Sequence, residues 1–362
     1  MITYFILLSI AIIPVILFRN TIGLFLSLLF VCLISSIRYG QGDYFAYLNF
    51  FTIAENFSIY DYIETALSWR EFIFQKHNLL QNEIGYFLLQ KAFSDLGFEA
   101  FVAFTTCFFC FASFLFIKEF VAPRYYWLAL LTLYNPIIII CYFSAIRQSL
   151  ACGCFAIALV VFAKTKKIWL AAILVLLGSL FHSSCFLLLP MVLLWNFDFR
   201  RIAIFVFIIL LFLPLIQPFI HWISRNMLAY DFYLATGNQN SILYSFVFSS
   251  LLLSGIFCTN INDKKTSILA TFALTIILLR IFSSTFQELY YLNRISMYCE
   301  FCTIAFYPAV LEHKKNAFAY LIILAVILFL FVRVYFFFDN PSWIGNRHFY
   351  YSTIFDKESF GE

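Results

Sequence analysis

The sequence predicts an all-α, polytopic integral membrane protein with about 12 transmembrane helices, bounded at roughly 10–13. Its 362 residues are 64% hydrophobic and only 12% charged, with a mean hydropathy of +0.92. Soluble domains are about half apolar and a quarter charged. The net charge of +4 is modest and comes from loop lysines and arginines, so no nucleic-acid surface is predicted. We expect one transmembrane domain over residues 1–362, with a larger extracytoplasmic loop at about 38–98.

Most of the expected crossings are single apolar runs. A run of about 20 residues spans a bilayer, and such runs lie near 2–18, 21–37, 99–118, 125–143, 145–163, 202–223, 242–258, 266–282, 295–311 and 317–338. The first run lacks a basic n-region and a small-x-small cleavage site, which predicts a retained helix and not a cleaved signal. Residues 168–196 are too long for one crossing, so we expect two short helices that meet at residues 181–184.

Basic residues orient these helices. Twelve of the 23 lysines and arginines gather in six tight connections: Arg19; Lys118 and Arg124; Lys164, Lys166 and Lys167; Arg200 and Arg201; Lys264 and Lys265; Lys314 and Lys315. The positive-inside rule makes these connections cytoplasmic and places both termini outside. Residues 82–97 are apolar but short and charged. A crossing there would invert every later basic loop, so an interfacial amphipathic helix is expected.

This topology brings five titratable residues to the outer membrane face. Arg38 ends the second helix, Arg147 lies at the outer turn between the runs 125–143 and 145–163, and His182 lies at the apex of the short hairpin. Arg280 and Arg294 flank a later outer loop. Because these residues come from distant parts of the chain, their shared level predicts a polar site at the extracytoplasmic face.

Two motifs carry the arginines of the first half of the chain and their polar neighbours. Arg38 is followed by Asp43 and Tyr44, which form either a site or an interfacial belt of tyrosines with a snorkelling arginine. Arg147 precedes Gln148, and an arginine in a helix costs about 2.5–3.5 kcal/mol at the bilayer centre. Such an arginine faces a cavity or pairs with a backbone carbonyl. Its planar guanidinium suits a phosphate or diphosphate.

His182 is the candidate general base, since an ordinary imidazole pKa of about 6.5 allows proton transfer near neutral pH. The alternative is a histidine that only hydrogen-bonds a neighbouring helix. Ser183 and Ser184 follow it, but no acid is placed by sequence to complete a hydrolase triad. Asp43 is the other candidate base. In the outer loop between Arg280 and Arg294, Glu288, Tyr290 and Tyr291 are candidate contacts to sugar hydroxyls, and the alternative is an ordinary solvated loop.

The sequence predicts no metal site and no cofactor. No Walker loop, GxGxxG or HExxH motif is present, which argues against nucleotide-driven transport and zinc proteolysis. Ten cysteines lie almost entirely inside apolar runs without a completing histidine or carboxylate, so they are expected to act as small buried hydrophobes.

Four motifs, in order and spacing, resemble the EpsG-like branch of the Wzy-type polysaccharide polymerases. They read Arg-x-Gly-x-Gly-Asp-Tyr-x-x-Tyr, Ile-Arg-Gln-x-x-Ala, Phe-His-Ser-Ser and Asn-Arg-Ile-x-x-Tyr, at residues 38–47, 146–151, 181–184 and 293–298. The first motif differs slightly from the expected pattern in having Gln41 between its glycines. The motifs span most of the chain.

The resemblance implies a metal-independent membrane glycosyltransferase of the GT-C kind in the bacterial inner membrane. It would join oligosaccharide repeat units carried on undecaprenyl diphosphate into O-antigen, capsule or exopolysaccharide at the outer face. Implied partners are that lipid-linked glycan as donor and acceptor, membrane lipids and a chain-length regulator protein. The alternatives are a flippase or transporter of the same glycan, and an O-antigen ligase.

Overall fold

The computed structural model describes residues 2–40, 43–60, 83–208, 212, 242–285, 292–339 and 353. Within these residues the chain forms α-helices and short 3₁₀ helices but no β-strand. One isolated antiparallel bridge joins Arg38 to Thr353. Several of these helices are long and apolar, as the composition predicts, and the described residues confirm the all-α class.

The α-helices follow one another along the chain in the order α1 (Ile2–Phe18), α2 (Thr21–Ser36), α3 (Tyr44–Asn56), α4 (Ile84–Ala92), α5 (Phe98–Phe120), α6 (Tyr126–Leu131), α7 (Pro136–Phe143), α8 (Ile146–Thr165), α9 (Ile168–Ser179), α10 (Leu189–Leu194), α11 (Ile242–Cys258), α12 (Lys264–Thr285), α13 (Leu292–Phe301), α14 (Thr303–His313) and α15 (Ala317–Asp339). Residues 199–208 are also helical.

Four helices in the described part of the chain are long and apolar enough to cross a membrane. They are α5, α8, α12 and α15. Shorter apolar helical stretches of 10–17 residues accompany them, including most of α1 and α11, and α2 and α9. These helices support a membrane protein, while the total of about 12 crossings stays a prediction.

One predicted span, 125–143, is divided in the structure. Helix α6 ends at Leu131, a 3₁₀ turn follows, and α7 begins at Pro136. A proline lacks the backbone N–H, and its ring clashes with the carbonyl four residues earlier, so it begins a helix more readily than it continues one. Asn135 precedes it and is buried. Its side-chain Oδ1 accepts a hydrogen bond of 2.8 Å from Arg333, a residue of α15.

Four further predicted segments can be compared with the helices of the structure. The run 168–196 forms α9 and α10, joined through a turn and a 3₁₀ helix at residues 183–188, as expected. The run 295–311 is divided at Cys302 into α13 and α14. Helix α4 has only 9 residues, about 13 Å, which is too short to cross a hydrocarbon core of about 30 Å. The run 202–223 lies mostly outside the described residues.

The chain forms two compact units. The first comprises Met1–Glu119, Leu133–Phe186 and Val332–Glu362, and the second comprises Phe120–Thr132 and Leu187–Phe331. In the first unit α1 packs on α2, α8 on α9 and α3 on α4. In the second unit α11 packs on α12, α12 on α13 and α6 on α14.

Candidate functional site

A glycine allows the start of α4 to dock on the turn that carries His182. The N–H groups of Gly85 and Tyr86 both donate to the carbonyl of Leu180, at 2.9 and 3.2 Å. A Cβ on Gly85 would lie 2.7 Å from the Leu180 Cβ and 2.8 Å from its carbonyl oxygen, closer than real Cβ atoms approach other atoms. This contact therefore requires glycine, and it places Glu83 beside the turn.

Glu83 lies at the centre of a polar cluster in the first unit. Its Oε2 is 3.1 Å from Nη1 of Arg147, and its Oε1 is 3.4 Å from Nδ1 of His182. The backbone N–H of Ser183 donates to the same Oε1 at 2.9 Å. The side chains of Arg147, Glu83 and His182 are 25%, 15% and 9% exposed. The cluster is thus sheltered but reachable from solvent.

The electrostatics of the cluster keep Glu83 ionised. Burial acts to raise its pKa, but the hydrogen bond with His182 and the charge of Arg147 outweigh burial and lower the pKa to about 2. Arg147 lies in the first turn of α8, where the positive end of the helix dipole disfavours a cation. The neighbouring Glu83 carboxylate compensates both the charge of Arg147 and the positive end of the helix dipole.

Two tyrosines form walls beside Arg147. The guanidinium carbon lies 6.0 Å from the ring centre of Tyr47 and 5.9 Å from that of Tyr86. The two ring centres are 6.1 Å apart. Burial raises the pKa of Tyr47 to about 12, so its phenol stays neutral. The rings therefore hold the guanidinium by cation–π contact without adding charge.

His182 faces Glu83 through Nδ1, which predicts a proton on that nitrogen and an acceptor at Nε2. Ser184 Oγ lies 3.5 Å from the same Nδ1. In a serine hydrolase triad the acid and the serine occupy opposite nitrogens of the imidazole. Since Glu83 and Ser184 face one nitrogen here, this arrangement does not build that triad.

Arg38 lies in the first unit but makes different contacts. Its Nη1 donates to the carbonyls of Ser35 and Tyr142 at 2.8 and 2.9 Å, and to Thr106 Oγ1 at 3.0 Å. Ser35 and Tyr142 belong to the last turns of α2 and α7, where carbonyls lack helical partners. Arg38 is 3% exposed. These contacts fasten three helix segments, and its predicted diphosphate role stays a prediction.

The remaining predicted residues of this unit are near α3 and α8. Asp43 is exposed, and its backbone N–H donates to Ser144 Oγ at 3.2 Å. Tyr44 is buried, with its ring centre 5.1 Å from that of Phe98. Gln148 is 7% exposed. None of these positions tests the binding roles that the sequence suggests.

Arg280 and Arg294 belong to the second unit. Arg280 pairs with Glu300, and their side chains are 3% and 0% exposed. The guanidinium carbon of Arg280 also lies 5.1 Å from the ring centre of Tyr244. Arg294 lies on α13, and its side chain is outside the described residues, as are Glu288, Tyr290 and Tyr291. The predicted gathering of all five residues at one membrane level stays a prediction.

Glu83 is the residue that the sequence reasoning missed. It is 64 residues from Arg147 and 100 from Ser183, so no sequence motif links it to either residue. The usable signal is local: an acid directly before Ile84-Gly85, at the start of a short amphipathic helix. In the described part of the chain, no group of three or more His, Cys, Asp or Glu is suited to hold a metal ion.

Fold and site together define a helical membrane protein with a sheltered arginine–glutamate–histidine cluster. The chain belongs to the EpsG family, whose sequence model matches residues 21–352. That match confirms the EpsG-like part of the resemblance and covers nearly the whole chain. Neither a curated protein nor a solved structure matches the chain.

Proposed function

We propose that this protein is a polysaccharide polymerase that joins oligosaccharide units carried on a lipid diphosphate, at the extracytoplasmic face of the bacterial inner membrane. Family membership supports the polymerase-like role. The observation that carries the chemistry is the sharing of Glu83 between Arg147 and His182. A fixed cation next to an oriented imidazole provides a diphosphate contact and a base in one place.

The reaction transfers the growing chain from its lipid diphosphate to a hydroxyl of an incoming unit. The acceptor oxygen bonds to the anomeric carbon of the donor, and the bond from that carbon to the diphosphate oxygen breaks. The acceptor proton passes to Nε2 of His182, whose Nδ1–H is oriented by Glu83. Arg147 stabilises the negative charge that grows on the departing diphosphate. This scheme needs neither a nucleotide sugar nor a metal ion.

Other residues have roles to be tested. Asp43 is the second candidate base, and Arg38, Gln148, Tyr44, Arg280 and Arg294 are candidate contacts to the diphosphate or sugar. Undecaprenyl-diphosphate-linked glycan would be both donor and acceptor, with membrane lipids around it and a chain-length regulator as a further partner. A hydrophobic groove for the lipid tails is consistent with the phenylalanine-rich helices.

The test replaces His182 in cells that lack the native gene and sizes the surface polysaccharide on a gel. We expect His182→Ala to leave single repeat units attached to the surface carrier, with normal protein abundance. His313→Ala is the matched control, since His313 contacts Thr266 in the other unit. Long chains in His182→Ala would contradict a base role. If the protein were a ligase, the inactive variant would leave no units attached to the surface carrier. If it were a flippase, the inactive variant would leave repeat units in the cytoplasmic leaflet.

A further inference from the structure

The two oxygens of Glu83 have partners of different kinds. Oε1 accepts from the Ser183 backbone N–H and faces His182, and both of these belong to one turn. Oε2 faces Arg147, which projects from the start of α8. The backbone N–H of Ser183 fixes Oε1 to the turn, whereas Arg147 contacts Oε2 through its side chain alone. One half of the carboxylate can therefore change partner while the other half stays in place.

Arg147 is the member of the cluster that an outside anion reaches best. Its side chain is 25% exposed, more than that of Glu83 or His182. A guanidinium binds phosphate oxygens with the same forked geometry that it uses for a carboxylate. A diphosphate carries more charge than Glu83, and the neutral rings of Tyr47 and Tyr86 keep the guanidinium nearby.

We propose that the Arg147–Glu83 ion pair is a latch, and that the diphosphate of the lipid-linked donor opens it by replacing Glu83 on the guanidinium. This inference rests on the proposed function and adds its regulation. Once Arg147 turns to the diphosphate, Glu83 stays on Ser183 N–H and serves His182 alone. The unshared carboxylate stabilises the imidazolium more strongly, so His182 becomes a stronger base only when a donor is bound.

The groups that face His182 and Arg147 are consistent with this coupling. Ser184 offers a neutral hydroxyl, and Tyr47 and Tyr86 are held neutral by burial, which raises the pKa of both phenols. Glu83 is thus the carboxylate that the described contacts place on both Arg147 and His182. When Glu83 loses Arg147 as a partner, its carboxylate therefore stabilises the imidazolium of His182 more strongly.

The experiment measures binding of inorganic pyrophosphate to the purified full-length protein by calorimetry. In Glu83→Gln the amide no longer competes as an anion, so we expect pyrophosphate to bind about three- to tenfold more tightly than in wild type. The same variant should polymerise more slowly, because the amide cannot stabilise the imidazolium. Tighter binding with slower turnover is a combination that a merely structural ion pair does not produce.

The matched control is Glu119→Gln. Glu119, on α5, is 16% exposed and pairs with Lys164 at 3.5 Å. Lys164 lies on α8, at the opposite end of that helix from Arg147. The substitution removes the same charge from a similar environment, and pyrophosphate affinity should stay as in wild type. Glu83→Asp is the second variant, since its shorter side chain draws back from Arg147 while it keeps its charge. It should also tighten pyrophosphate binding, by less.

The outcomes separate the latch from the function on which it rests. If Glu83→Gln and Glu83→Asp bind pyrophosphate as wild type or more weakly, the latch is wrong, and the proposed polymerase is untouched. If Arg147→Ala binds pyrophosphate as wild type does, Arg147 is not the anion contact, and that part of the proposed function fails. Failure of both Glu83 variants to fold would make the pair structural and overturn the latch.

Discussion

Two of the arginine–glutamate pairs in the described part of the chain have aromatic neighbours in common but differ greatly in their exposure to solvent. Arg147 and Glu83, in the first unit, are 25% and 15% exposed, and the carboxylate also contacts His182. Arg280 and Glu300, in the second unit, are 3% and 0% exposed. Each guanidinium lies against aromatic rings, which are Tyr47 and Tyr86 for Arg147 and include Tyr244 for Arg280.

The difference in exposure separates a pair that can exchange partners from one that cannot. A fully buried charge has no water to replace a lost partner, so such a pair fixes two helices together. A partly exposed pair exchanges its partner for another ion at low cost. From exposure we therefore expect the Arg280–Glu300 pair to be structural, between α12 and α13, in place of the diphosphate contact that the sequence suggests for Arg280. We expect the Arg147–Glu83 pair to bind ligand, as proposed above.

The largest effect is expected when the buried Arg280–Glu300 pair, the closed pair, is broken. Glu300→Gln leaves the Arg280 charge buried without its carboxylate, and breaking such a pair costs about 3–5 kcal/mol. We expect most of the protein to disappear from the membrane, as measured by immunoblot and by thermal denaturation of what remains. Glu312→Gln is the control, because its pair with Arg124 is exposed and spans 3.9 Å. Normal abundance of Glu300→Gln with lost activity would make the second pair functional and remove the contrast.

The partly exposed Arg147–Glu83 pair, the open pair, should respond in the opposite way, with lost turnover and unchanged abundance. Arg147→Ala removes a charge-assisted contact to the diphosphate, and loss of one such contact lowers turnover by about 100- to 1000-fold. Membrane abundance should stay near that of wild type. Arg147→Lys should keep only partial activity, because lysine keeps the charge but not the planar fork. Chain length on a gel, divided by protein amount, is the measurement, and Lys164→Ala is the control. Near-normal chain length per molecule in Arg147→Ala would contradict the catalytic interpretation.

Much of the fold could be predicted because it depends on local apolar patterns. The membrane class and the helix break near residues 181–184 follow from run length and from the polar His182 in the middle of the apolar run 168–196. The division of 125–143 was missed, although Asn135-Pro136 is a recognisable helix start. A count of apolar residues does not contain that information, because proline acts through its missing N–H and not through its hydropathy.

The site was predictable in part, for a related reason. Arg147 and His182 are rare charged or titratable groups in apolar runs, so sequence alone marks them. Glu83 lies among many acids of an outer segment, and only tertiary packing through Gly85 selects it. Exposure is also a tertiary property. Arg280 and Arg147 look alike in sequence, yet the structure closes one pair and leaves the other open.

A smaller effect should come from the glycine that positions the open pair. Gly85→Ala places a methyl group against Leu180, and such overpacking costs about 1–3 kcal/mol. Because α4 must shift away from the turn, Glu83 should retract from His182 and turnover should fall. Gly97→Ala is the control: its positive φ of 86° strains alanine, but the added group meets Glu99 Oε2 only at an ordinary contact distance of 3.8 Å. Both variants should melt earlier, and only Gly85→Ala should polymerise more slowly per folded molecule. Equal rates would mean that the docking does not position Glu83.

The smallest effect concerns pH. The pKa of Glu83 is about 2 in the folded protein, below its ordinary 4.5. The stability that its pairing contributes is therefore complete above pH 4.5 and is lost as the pH falls towards 2. Glu83 does not titrate between pH 5 and 8, so we expect the fall in wild-type turnover on the acid side of that range to report protonation of His182. In Glu83→Gln the imidazolium loses its carboxylate, and the acid limb should move to lower pH by about one unit. Initial rates of chain growth across that range provide the measurement, with Glu119→Gln as the charge-matched control. An unmoved limb in Glu83→Gln would mean that Glu83 holds Arg147 alone, and the open pair would then differ from the closed pair only in its exposure.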